Sequence, residues 1–183
     1  MRRRATEAEM SGSAKVAVKR LFEQAWGEGR LDELETLIDR GYRSHIHEVG
    51  AGRMVRWVGP DILRVELSAY RSGMPDCKVE VSAIVAETDV VIALFTVEGT
   101  NTQATVVEPL AGVHDVEIEP THMAIRATGT ARARVEAGRI AELEISWELL
   151  GPIEQIRLFA DGTLSVRDLV ITPAPLEEGA APA

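Results

Sequence analysis

Residues 138–151 read GRIAELEISWELLG, from Gly138 to Gly151. Glu142, Glu144, Ser146 and Glu148 recur at every second position, with Leu143, Ile145 and Trp147 between them. Side chains of a strand alternate between its faces, so this spacing predicts a strand with carboxylates and a hydroxyl on one face. The other face carries two aliphatic groups and an indole. The acidic face is either ordinary solvated patterning or, on a curled sheet, the wall of a cavity. Ala137-Gly138, just ahead, reads as a two-residue hairpin turn with Gly where φ must be positive. Simple pairing across that turn sets Arg132 and Arg134 on the face opposite Glu148, unless a bulge intervenes.

Working outward, residues 117–135 predict one strand or two, broken near Pro120. Val90–Val97, VVIALFTV, is apolar on both faces, so both faces should be covered. Lys78–Glu87 alternates more loosely. Residues 101–114 form a long polar connection, a candidate lid or insertion. Pro152–Ile156 suggests a helical turn, and Asp161-Gly162 a last small hairpin.

Upstream, the pattern is helical. From Ser13, Val18, Leu21, Phe22, Ala25 and Trp26 follow i, i+3, i+4, i+7, i+8, and Gly27 and Gly29 end the run. A second helix is expected over 31–40 and a third from Pro60 to Gly73, with Pro at its first position and Asp61 at its positive end. Between them Tyr42–Glu48 reads as extended, with Tyr42, Ser44 and Ile46 on one face and Arg43, His45 and His47 on the other. Residues 50–57 read as loop. Helices first and strands after them give an α+β class. The expectation is a curled antiparallel sheet packed on three helices, a cone with an internal pocket. Residues 13–172 form the single domain of this reading, with disordered tails at 1–12 and 173–183.

The chain has 183 residues, 45% of them apolar, enough for a core. Its formal charge of −9 argues against nucleic acid and anionic membrane partners. No apolar run has the length of a membrane span and no signal-like segment follows the early arginines, so a cytoplasmic protein is expected. The single Cys77 excludes an internal disulfide and is expected to be buried. Arg predominates over Lys, and Ala, Gly and Val are abundant, a composition that hints at a bacterial source. The apolar Val90–Phe95 run, with Leu143, Ile145 and Trp147 opposite the carboxylates, predicts a homodimer through the outer sheet face. His114, Asp115, Glu117, Glu119 and His122 have metal-ligand chemistry, but their spacing matches no known site, so no metal or cofactor is expected.

Several stretches together resemble one family. FEQAWGEGRLDELETLI (Phe22–Ile38), GYRSHIHE (Gly41–Glu48), VGPDILRVEL (Val58–Leu67), the run Met74–Thr102 and GTARARVEAGRIAELEISWELLG (Gly129–Gly151) are similar, in order and spacing, to the SnoaL-like polyketide cyclases. These share a cone-shaped α+β superfamily with ketosteroid isomerase, limonene epoxide hydrolase and nuclear transport factors. The resemblance implies a small hydrophobic, polyketide-like ligand and a general acid/base near the end of the last strand, where this chain has Glu148. It matches the family's histidine to His45. Where the family often carries an aromatic, this chain has Glu144. Tyr42, Trp57, Glu144, Ser146 and His122 are the candidate substrate contacts.

The implied reaction is an intramolecular aldol closure. It needs a proton removed from a carbon between two carbonyls, and one positioned carboxyl group suffices. Burial and neighbouring carboxylates would raise that group toward neutrality. The alternatives are a hydroxylase, an epoxide-opening enzyme, or a non-catalytic binding or scaffold protein on the same fold.

Overall fold

The computed structural model describes residues 7–48, 52–57, 59–107, 116–160 and 162. Helix α1 (Glu7–Arg20) begins six residues before Ser13, with Glu7 and Glu9 at its positive end and Lys19 and Arg20 at its negative end. It runs on into a wider π-helical segment, Leu21–Gly27. Val18, Leu21, Phe22, Ala25 and Trp26 are all buried, as their spacing requires. A 3-10 turn (Leu31–Glu33) leads to the short α2 (Leu34–Leu37). The second helix therefore stops at Leu37 and not near 40, because Ile38 already enters strand β1 (Ile38–Glu48). Residues 52–57, expected as loop, form β2 (Gly52–Trp57), antiparallel to β1. Helix α3 (Pro60–Gly73) has Pro at its start, as predicted.

The strands that follow are β3 (Lys78–Glu87), β4 (Val90–Thr100), β5 (Thr105–Val107), β6 (Val116–Ile118), β7 (Ala124–Glu136) and β8 (Arg139–Trp147). Helix α4 (Pro152–Ala160) is nine residues long, where a single turn was expected. The main sheet has the order β2-β1-β8-β7-β4-β3. All its pairs are antiparallel except β1 with β8, which is parallel. The sheet is thus mixed, because the chain leaves β1, builds the other half, and returns beside it in the same direction. Residues 7–12, expected as part of a disordered tail, are the first turns of α1, whereas residues 1–6, the proposed hairpin beyond Gly162, the C-terminal tail and the 108–115 part of the long connection lie outside the described residues.

One face of the sheet takes the helices. Val91, Ala93, Phe95 and Val97 of β4 and Ile125, Ala127, Ala131 and Ala133 of β7 are buried there. So is Leu143, with Ile145 and Trp147 packed beside it. These last three therefore belong to the core and not to the outer surface. Among the described residues of β3 and β4, the outer apolar side chains are Ala83, Val85 and Leu94, all exposed, and the half-buried Val90 and Ile92. The predicted turn is present: Ala137 and Gly138 have φ of 49° and 81°.

Asn101 closes the open end of β4. It is fully buried, and its side chain donates to Gly73 O (3.2 Å), Gln103 O (3.0 Å) and Thr105 Oγ1 (3.2 Å). Its Oδ1 accepts from the Thr121 N–H (2.7 Å) and hydroxyl (2.9 Å). One amide thus holds the end of α3, the start of β5 and the approach to β7. Asn101→Ala strands several of those groups without partners, and is expected to cost about 2–3 kcal/mol. A urea unfolding curve reads this as a lower midpoint at unchanged slope; an unmoved midpoint contradicts it.

Candidate functional site

The carboxylate face of β8 points away from the helices. A bulge between Arg134 and Val135 shifts the β7–β8 register, so Arg134 stands opposite Glu142 and Arg132 opposite Glu144. The extra residue falls on β8, where Ile140 and Ala141 are both buried in succession. Arg134 and Glu142 bond at 2.8 Å, Arg43 of β1 stands 3.8 Å from the same oxygen, and Arg134 also pairs with Glu136. The Glu142 contact holds the Arg134 guanidinium above its ordinary range. The arginines therefore share the face of the carboxylates and neutralise it. Such partly exposed pairs are each worth about 0–1 kcal/mol.

The expected site residues fall on several elements, and the side chains of His45 and Trp57 lie outside the described residues. Glu148 lies one residue past β8, exposed, its backbone N–H donating to Thr128 O at 2.9 Å. Ser146 is exposed opposite Thr130, and Glu144 is half-buried beside Arg132. His45 pairs in register with Glu144 and Val55, and Trp57 closes β2 opposite Arg43. His122 is exposed on the β6–β7 connection with φ of 56°, its N–H donating to Asn101 O. Among those whose side chains are described, Tyr42 alone is in the helix-covered interior, 1% exposed. Among the described residues no three His, Cys, Asp or Glu side chains gather as a metal cluster. No described helix is long and apolar enough to cross a membrane. Cys77 is buried, and burial pushes its thiol up to about 11. It is held as an unreactive thiol.

The interior holds a different set. Trp26 of the π-helical segment is the centre of a ring cluster, with Tyr70 at 5.1 Å, Phe22 at 5.9 Å, Phe95 at 6.0 Å and Trp147 at 6.3 Å. Gly129 lies under Phe95, where a Cβ would come within 2.9 Å of the ring. The Arg71 guanidinium fixes the approach of α3 by donating to Trp26 O (3.0 Å) and Gly27 O (2.6 Å), carbonyls left open at the segment's end. That places Tyr70, its neighbour, against Trp26. Glu66 lies one helical turn before Tyr70, in line with the buried Leu63 and Leu67.

Charge gathers around these phenols. Burial pushes the Tyr42 hydroxyl well above its ordinary range; the Glu66 carboxylate adds to this, and a hydrogen bond with Ser44 opposes it. Burial does the same to Tyr70, with Glu154 of α4 and then Glu66 adding to it. Glu154 reaches the site over Gly151, where a Cβ would stand 2.5 Å from its carboxylate and 2.7 Å from Trp147 Nε1. Trp26 Nε1 is buried with no hydrogen-bond partner. Both phenols stay protonated at neutral pH and are available as hydrogen-bond donors. The sequence signal for this set was the i, i+4 pair Glu66–Tyr70 on the apolar side of α3.

The match to known proteins agrees with this architecture. The family model described as a SnoaL-like domain matches residues 18–143. The chain belongs to the SnoaL-like family. Its fold is similar to a candidate SnoaL-like polyketide cyclase from Jannaschia sp. CCS1, at 18% identity and a TM-score of 0.59, covering 81% of this chain and 92% of that one. TsrD from Streptomyces laurentii is similar at 18% identity and 0.58, covering 84% and 97%. IdmH, a candidate polyketide cyclase from Streptomyces antibioticus, is similar at 20% and 0.58, covering 79% and 98%. No curated protein sequence matches the chain. At these identities the SnoaL-like likeness speaks for the fold alone.

Tyr42 and Tyr70 are the only tyrosines in the chain. Their folded pKa values lie above the unfolded value of ~10, so the stability they lend is fully present below that pH and is lost as pH rises beyond it. A spectroscopic alkaline titration should therefore give no tyrosinate signal near pH 10 in the folded protein, and then a single rise that coincides with unfolding. A smooth ionisation near pH 10 with the fold intact contradicts the burial of both phenols.

Proposed function

We propose that this SnoaL-like protein is a cofactor-independent polyketide-tailoring enzyme, an intramolecular aldol cyclase of an aromatic polyketide intermediate. The observation that carries this reading is the aromatic-rich interior with protonated Tyr42 and Tyr70, and the half-buried Glu66 one helical turn before Tyr70, whose charge acts on both phenols. A flat, partly aromatic ligand suits the ring-rich lining of Trp26, Tyr70 and Trp147. The closure requires a base for one acidic C–H and donors for the oxygen on which charge develops. Carboxylate and phenol supply those two chemistries. Glu148 and His45 carry a role only through the family resemblance; Glu148 is exposed at a bend among the described residues.

The test is incubation with an aromatic polyketide-type methyl ester carrying an unclosed 1,3-dicarbonyl arm, followed by chromatography and mass spectrometry. An isomer of unchanged mass, formed equally with and without EDTA, is expected. A product that gains one oxygen atom points to a hydroxylase. Saturable binding with no turnover reduces the protein to a carrier.

A further inference from the structure

The residues a reaction would need are on α3, an element to which the family resemblance assigns no chemistry. We propose that Glu66 is the base that takes the substrate proton and that Tyr70, one turn later on the same helix, is the phenol that holds the resulting oxyanion. This rests on the acid–base reading above and names the groups that perform it.

Placement carries the argument first. Leu63 and Leu67 are buried and Tyr70 meets the ring of Trp26, so this side of α3 faces the interior. Glu66 and Tyr70 are four apart and stand on one side of the helix. Tyr42 is buried in β1, a strand that α3 packs on. Tyr70 is only partly buried as a residue, whereas Tyr42 is enclosed and acts as a positioning residue. Trp26 Nε1, 2% exposed by residue and without a partner, is a buried donor in the same cluster. An unpartnered buried donor costs about 1–3 kcal/mol. A substrate carbonyl oxygen would satisfy it.

The electrostatics then give the arrangement a direction. The negative charge of Glu66 makes both phenols poorer acids in the resting protein. When Glu66 takes a proton, that charge leaves the carboxylate and appears on the substrate oxygen. The phenols become better donors at the moment an oxyanion forms. The step balances as an isomerisation. The C–H bond between two carbonyls breaks and its pair enters the enolate; the enolate carbon then bonds to the carbon of a third, remote carbonyl of the same chain, whose π pair moves onto its oxygen. The new alkoxide takes back the proton from Glu66. No oxidant or co-reactant is consumed. Burial, with the Glu154 charge adding to it, keeps the Tyr70 phenol protonated.

The base can be read without ring closure. The wild-type protein should catalyse exchange of the acidic C–H of 2-tetralone in D2O, followed by NMR. Glu66→Gln should lower kcat for exchange by ~10²–10⁴-fold with KM changed little, and Tyr70→Phe by ~10²–10³-fold. Glu142→Gln, on the outer face, should match wild type. Circular dichroism checks that each variant is folded, and Glu66→Asp should recover part of the rate. Exchange without closure of the polyketide ester leaves this proposal standing and removes the aldol reading. Exchange at the wild-type rate in Glu66→Gln overturns the proposal, as does a wild type that exchanges nothing, or loss in Glu148→Gln with Glu66→Gln unaffected.

Discussion

The packing of rings around Trp26 is the constraint on which the rest depends. It joins four elements that are far apart in sequence: the π-helical segment, α3, β4 and β8. Phe22 and Phe95 approach to 4.5 Å, and Phe95 meets Trp147 edge-on at 5.3 Å. Each such pair adds about 0.5–1.5 kcal/mol beyond its buried area. The larger consequence is geometric. The widened turn of the π-helical segment sets Trp26 at a height where Arg71 can satisfy its carbonyl and Tyr70 can meet its ring. π-Helical turns in α-helices often mark functional positions.

This packing also makes polar groups costly unless they are used. A buried phenol and indole beside a carboxylate are poor choices for stability alone, since apolar groups of the same shape would remove the desolvation cost. Tyr42 belongs to the hydrophobic core and Tyr70 packs against it, with the half-buried Glu66 one turn away on α3, whereas the charges on the outer face neutralise one another in pairs. The two faces of one sheet thus carry different electrostatics. The outer ladder of Arg43, Glu142 and Arg134 is a solvated pairing. The inner group is a small set of polar atoms held where water is scarce.

Much of the fold was legible from the residues. The buried stripe of α1, the Pro start of α3, the hairpin at Ala137-Gly138 and the break near Pro120 all follow from local spacing. The face of the β8 carboxylates was not, because it depends on one residue: the bulge after Arg134 turns the arginines onto the side of Glu142 and Glu144. The parallel pairing of β1 with β8 was hidden because it joins segments about a hundred residues apart. Glu66 was missed for a different reason. An acidic residue on a surface helix reads as solvated, and only the tertiary position of Tyr42 and Trp26 gives it an interior neighbourhood. Glu148, singled out by resemblance, is one residue beyond the strand that would have fixed its direction.

The central claim is that the ligand binds between α3 and the inner face of the sheet. A crystal structure of the protein soaked with an aromatic 1,3-dicarbonyl ester tests it most directly. The account predicts a substrate carbonyl oxygen within hydrogen-bond distance of the Tyr70 hydroxyl, with the Glu66 carboxylate facing the acidic carbon. A ligand bound instead on the outer face, or against Glu148 with α3 untouched, contradicts it.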